Sequence, residues 1–164
     1  NNEPYYIKGA GAKSNFNEVK KAGANSIRIW STNNKSYLDS AHKYGLTVTL
    51  GLWVAQERNG FNYDDEYAVA GQIASLKKDI LKLKDHPALL TWGIGNEVDL
   101  QYSNFKVLET IEEIGEESHD LFMESGGETY KFIPCLNGDK DFIGFLEMLI
   151  KDHEKEKIDF RDLL

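Results

Sequence analysis

Residues Asp85-His-Pro-Ala-Leu-Leu-Thr-Trp-Gly-Ile-Gly-Asn-Glu97 decide how this chain is read. Pro87 cannot continue a helix, so the periodic segment before it must stop there. The apolar run that follows, from Ala88, reads as a strand and ends on a carboxamide beside a carboxylate. Parallel α/β proteins keep their chemistry at the carboxyl ends of such strands. A Glu at that position can exchange a proton with a leaving oxygen, and an Asn beside it can hydrogen-bond a substrate hydroxyl. Glu97 and Asn96 are therefore the first candidate site residues; the plainer reading of Glu97 is an exposed loop carboxylate or a helix cap.

On either side, short strand-like runs alternate with longer helical patterns, the signature of successive βα units around a parallel sheet. Tyr5–Lys8 reads as a first strand, and a short helix capped by Ser14 ends near Gly23. Asn25–Trp30 supplies a second strand, a helix over Tyr37–Tyr44 stops at Gly45, and Leu46–Val54 supplies a third. Val69, Ile73, Leu76, Ile80 and Leu83 then share one face of a third helix. Asp64, Asp65 and Glu66 at its start and Lys77, Lys78, Lys82 and Lys84 toward its end suit the helix dipole.

Beyond Glu97 the pattern predicts a helix over Asn104–Glu124, a stop at Gly126-Gly127 and a fifth strand within Thr129–Leu136. A fifth helix follows, with Phe142, Phe145, Leu146, Leu149 and Ile150 on one face, and then a charged tail over Lys151–Lys157. With no linker or close repeat, residues 1–164 read as a single α/β domain of about five βα units.

The composition agrees: 164 residues with 41% hydrophobic and 28% charged content describe an ordinary globular domain. A net charge of -8 without clustered Lys and Arg argues against nucleic acid as a partner. No apolar run approaches the roughly 20 residues that span a bilayer, so no membrane partner is expected. The start at Asn1-Asn2-Glu3-Pro4, without Met or a signal pattern, suits a processed product. The lone Cys135 reads as a small hydrophobe in a strand. Acidic residues and His119 in the run Glu116–Asp120 point in different directions on a helix, so neither a metal nor a cofactor is expected.

Several stretches together resemble the first half of the catalytic (β/α)8 barrel of family 2 glycoside hydrolases and their clan A relatives. They are Tyr6-Ile-Lys-Gly-Ala10, Gly23-Ala-Asn-Ser-Ile-Arg-Ile-Trp30, Gly45-Leu-Thr-Val-Thr-Leu-Gly-Leu-Trp53, Gly60-Phe-Asn-Tyr-Asp-Asp65 and the opening run Asp85–Glu97. The resemblance covers roughly residues 5–115, and residues 116–164 do not match. It implies a partial TIM barrel, retaining hydrolysis of O-glycosidic bonds in the full enzyme, and a carbohydrate substrate. It further implies Glu97 as the acid/base, Asn96 as its neighbour at the sugar 2-hydroxyl, and Arg28 as support for the catalytic carboxylates.

Trp30 and Trp53, at strand exits, could line a sugar site, with Glu57 and Arg58 in a loop on the same face. Arg28 also has a plainer reading as a structural ion pair, and the two tryptophans as core. The resemblance suggests a secreted or periplasmic bacterial enzyme. The family's nucleophile ends a seventh strand, and at roughly 30 residues per βα unit this chain reaches the fifth or sixth. The alternative function is therefore a non-catalytic carbohydrate-binding or structural half-barrel, self-associating through its open sheet edge.

Overall fold

Five parallel strands lie side by side in the order in which they occur in the chain. The computed structural model describes residues 5–33, 35–123 and 132–134. Its elements run β1 (Gly9–Gly11), α1 (Phe16–Lys21), β2 (Ser26–Ile29), α2 (Ser36–Lys43) and β3 (Thr47–Leu52), then a single 3-10 turn at Glu57–Asn59. After it come α3 (Glu66–Leu83), β4 (Leu89–Ile94), α4 (Lys106–Met123) and β5 (Phe132–Pro134). A doubly wound sheet reverses its strand order at a switch point. Here every strand pairs with its successor and the order never reverses, which is the wall of a barrel. The fold is a partial (β/α)8 barrel.

The strands alternate as the helix layer demands. Ile27 and Ile29 on β2, Val48, Leu50 and Leu52 on β3, and Leu89, Trp92 and Ile94 on β4 are buried in one core. Leu38 and Ala41 of α2, Ile73, Leu76, Ile80 and Leu83 of α3, and Val107, Leu108, Ile111 and Ile114 of α4 complete it. The register shifts between Val48 and Thr49, which pair with Leu89 and Thr91. That bulge leaves Leu90 as the extra residue, so Leu89 and Trp92, three apart, can both turn toward the helices. The intervening positions form a different row: Gly11, Arg28, Thr49 and Thr91 stand in register across four strands, with Gly51 beside Gly93. The other face of the sheet is thus small and polar, with Arg28 as its one long side chain in that row.

Strands two, three and four fall where the sequence places them, each within its predicted run. The first does not. β1 is Gly9–Gly11, and Tyr5–Lys8 is outside the ladder, with Tyr5, Tyr6 and Ile7 exposed. Asn25 fastens this segment: its Oδ1 accepts from Lys8 N at 2.7 Å, its Nδ2 donates to Tyr6 O at 2.8 Å, and its backbone N donates to Lys8 O at 3.0 Å. Ser14 is not the α1 cap either; Asn15 holds that position at φ 55°, with no side-chain capping bond.

The expected start of α3 is present, Asp65 accepting from Tyr67 N and Ala68 N at 3.1 Å each. His86, at the turn into β4, accepts from Ala88 N at 3.1 Å through Nδ1 and meets Asp39 Oδ1 at 3.1 Å through Nε2. No helix among the described residues is long and apolar enough to cross a membrane. The predicted fifth helix, Cys135 and the charged tail lie outside the described residues.

Candidate functional site

The carboxyl ends of β2 and β4 bring Arg28 and Asn96 together. Arg28 Nη2 donates to Asn96 Oδ1 at 3.3 Å, and the guanidinium lies 5.5 Å from the centre of the Trp30 ring. Arg28 Nε is buried without a hydrogen-bond partner among the described residues. Two glycines make room for Trp30. A Cβ on Gly11 would lie 2.5 Å from the Trp30 ring, and one on Gly51 would lie 2.6 Å from the Trp30 carbonyl. Trp30 is half-buried above the sheet in consequence, whereas Trp53, at the exit of β3, is 49% exposed. Trp92 is core, fully buried.

β4 ends before Glu97 because the chain turns. Gly95 has φ 70° and Glu97 itself φ 49°, the left-handed region that non-glycine residues enter at a cost of about 1–2 kcal/mol. Glu97 emerges with its side chain 49% exposed. The cation beside it is Arg58, whose Nη2 stands 3.7 Å from Glu97 Oε2. Arg58 Nη1 also donates to the Glu97 carbonyl and, at 3.3 Å, to the Leu100 carbonyl. Arg28, which the resemblance assigns to supporting the catalytic carboxylates, is bonded to Asn96, the neighbour of Glu97.

Three consecutive side chains after β3 hold the loop that follows β4. Gln56, buried, donates through Nε2 to the Asn96 carbonyl at 2.6 Å. Arg58 takes Glu97 and Leu100 as above. Glu57 accepts from Ser103 N at 2.7 Å and Asn104 N at 3.0 Å on Oε2, and from Ser103 Oγ at 2.6 Å on Oε1. Both oxygens of Glu57, the third substrate-binding candidate, are thus committed to the entrance of α4. Gln56 was not legible as a site residue, and Arg58 only as a neighbour. The one signal available was a polar Gln-Glu-Arg run directly after an apolar strand exit.

Hydrogen bonds from Ser103 and Asn104 hold the Glu57 carboxyl below the usual glutamate range. A folded-state value that is depressed adds stability above the unfolded value, near 4.5, and loses it as pH falls through the folded one. Glu57→Gln should therefore show a smaller drop in melting temperature than the unsubstituted chain between about pH 7 and about pH 3. An equal drop in both would deny the bond its share of acid sensitivity. Beside Glu57, Asp64 and Lys106 pair at 2.9 Å on the rim of an open groove of about 460 Å³, where Phe105 is exposed. Among the described residues, no group of three or more His, Cys, Asp or Glu is placed to hold a metal ion.

Comparison with known proteins gives two kinds of match, which overlap along the chain. Residues 105–154 match the ferrochelatase family. The ferrochelatase of Teredinibacter turnerae is 54% identical over 46 residues, 28% of this chain and 13% of that protein. That of Aliivibrio fischeri is 32% identical over 145 residues, 73% of this chain and 42% of that protein. The chain spans less than half the length of these curated relatives.

In three dimensions it is similar to Saccharomyces cerevisiae Gas2p in complex with laminaritriose and laminaritetraose, with a TM-score of 0.64 and 16% identity. That likeness covers 82% of this chain and 36% of Gas2p. A Gas2p mutant in complex with laminaritetraose and laminaripentaose gives a TM-score of 0.62, over 83% and 35% of the two chains. At this identity the likeness establishes the fold, and it carries the family 2 expectation no further than the fold. The match to the family model begins after β4, beyond Arg28, Trp30, Trp53, Glu57, Asn96 and Glu97, whereas the likeness to the Aliivibrio fischeri protein, at 73% of this chain, reaches back over Trp53, Glu57, Asn96 and Glu97.

Proposed function

We propose that the β1–β4 part of this chain is the first half of a glycoside hydrolase barrel of the family 2 kind, with Glu97 as acid/base. The observation that carries this reading is the Arg28 to Asn96 hydrogen bond at the carboxyl ends of β2 and β4, one residue before Glu97. A guanidinium only donates, so Asn96 must present Oδ1 to Arg28. Its Nδ2 is then turned away as a donor for a sugar hydroxyl, while Glu97 protonates the glycosidic oxygen as the bond to the sugar breaks. In a retaining cycle Glu97 then takes the proton of the attacking water. The nucleophile, about 5–5.5 Å from the acid/base in retaining enzymes, would come from a later strand paired beyond β5.

Trp30 and Trp53 would supply flat apolar faces for pyranose rings. The solved neighbours, which hold laminari-oligosaccharides on the same fold, support a carbohydrate ligand. One domain suffices for this reading, because α4, inside the ferrochelatase-like stretch, buries Val107, Leu108, Ile111 and Ile114 in the same core as β2–β4.

Titration of the chain with laminaritriose, followed by tryptophan fluorescence, tests the proposal. A saturable response in the millimolar range, about -4 kcal/mol, is expected, weakened at least tenfold by Asn96→Ala and by Trp53→Ala. A response indifferent to Asn96→Ala but lost in Trp53→Ala would instead favour the non-catalytic binding reading. No response from either tryptophan would remove the carbohydrate assignment.

A further inference from the structure

We propose that Arg58 is a positioning residue for Glu97, setting both the backbone turn that presents it and the direction of its carboxylate. The inference rests on the reading of Glu97 as acid/base. Glu97 sits at φ 49°, and nothing in its own side chain favours that conformation over the extended one. The surrounding structure must therefore hold it. Arg58 does so at three points: the Glu97 carbonyl, the Leu100 carbonyl at 3.3 Å, and Glu97 Oε2 at 3.7 Å.

A planar fork of several N–H donors can span two carbonyls and a carboxylate at once, which a lysine ammonium on a flexible stem does poorly. The fork is itself anchored, its side chain only 20% exposed. Gln56, two residues earlier, fixes the preceding peptide through the Asn96 carbonyl at 2.6 Å. The turn after β3 and the turn after β4 are thereby one unit. Proton transfer is sensitive to displacements of an ångström, so what fixes Glu97 against Asn96 fixes the chemistry proposed for the pair.

Nuclear magnetic resonance on the intact chain tests this. In Arg58→Gln, the amide-to-Hα coupling and Cα shift that report a left-handed Glu97 should be lost, and Arg58→Lys should not restore them, while core methyls such as those of Leu38 and Ile80 keep their positions. In Glu97→Gln, which leaves both carbonyls in place, the Arg58 Nε–Hε resonance should shift, a change that a purely structural arginine would not show. An unchanged Glu97 signature in Arg58→Gln, or an unmoved Arg58 resonance in Glu97→Gln, overturns the proposal. Should Arg58→Gln fail to fold, the Glu97→Gln spectrum decides alone. A brace confirmed in this way alongside a silent laminaritriose titration would reject the glycosidase reading and leave the positioning intact.

Discussion

Gly51→Ala should destabilise the chain by about 3 kcal/mol, the upper end of what overpacking costs, and should disturb the candidate site in the same stroke. The added methyl would lie 2.6 Å from the Trp30 carbonyl carbon and oxygen and 2.7 Å from its Cα. These are backbone atoms, so no rotamer change relieves the clash; β3 or the segment after β2 must move. Either movement displaces Trp30, whose ring packs over Gly11 and beside Arg28. Gly11→Ala is the control. Its methyl meets the far edge of the Trp30 ring, a side chain that can rotate away, so the loss should be smaller. Urea midpoints of the two variants give the comparison; a Gly51→Ala chain as stable as the parent would show that β2 and β3 do not approach as closely as described.

Trp92→Ala should cost about 3–5 kcal/mol, a large share of the 5–15 kcal/mol that holds a domain together. Trp92 is fully buried on β4, in register with Leu50 on one side and Phe132 on the other. Its removal leaves a cavity between sheet and helices, four residues before Asn96. Trp92→Phe should cost much less, because most of the bulk remains and because Trp92 Nε1 is buried without a partner among the described residues. Denaturation followed by circular dichroism separates the two, and loss of the cooperative transition in Trp92→Ala alone would fit the core position. Near-equal midpoints for both variants would place Trp92 outside the core.

Three middle strands were legible in the sequence because each is a run of β-branched or aliphatic residues between turn signals, bounded by Gly23, Gly45 and Pro87. The third helix was legible because its apolar stripe, its acidic start and its lysine-rich end agree. The first strand was misplaced because intrinsic propensity favours Tyr5-Tyr-Ile over Gly9-Ala-Gly, while pairing favours whatever lets neighbours come close. Close approach of Trp30 selects glycine at position 11, and no local pattern announces a ring arriving from the next strand.

The site divides along the same line. Asn96 and Glu97 could be picked out because they interrupt an apolar run at a strand end, a local contrast visible in the letters. The partners of that pair could not be. Arg28 reaches Asn96 across 68 residues of chain, and Arg58 reaches Glu97 across 39. Such contacts depend on strand register and on two loops turning toward each other, which spacing along the chain does not encode. Glu57 shows the reverse case: its place in a loop on the same face makes it a substrate-binding candidate, and the fold bonds its carboxylate to Ser103 and Asn104.

By itself, then, the sequence determined the alternation of strands and helices, the helix-facing core and the carboxamide and carboxylate at the end of β4, because each follows from side-chain periodicity and backbone chemistry acting over a few residues. The tertiary structure alone decided that Arg28 serves Asn96, that Ser103 and Asn104 take Glu57, and that Arg58 stands beside Glu97. Those outcomes come from long-range pairing and packing, in which a left-handed turn or a glycine contact is favourable only once the distant partner is in place.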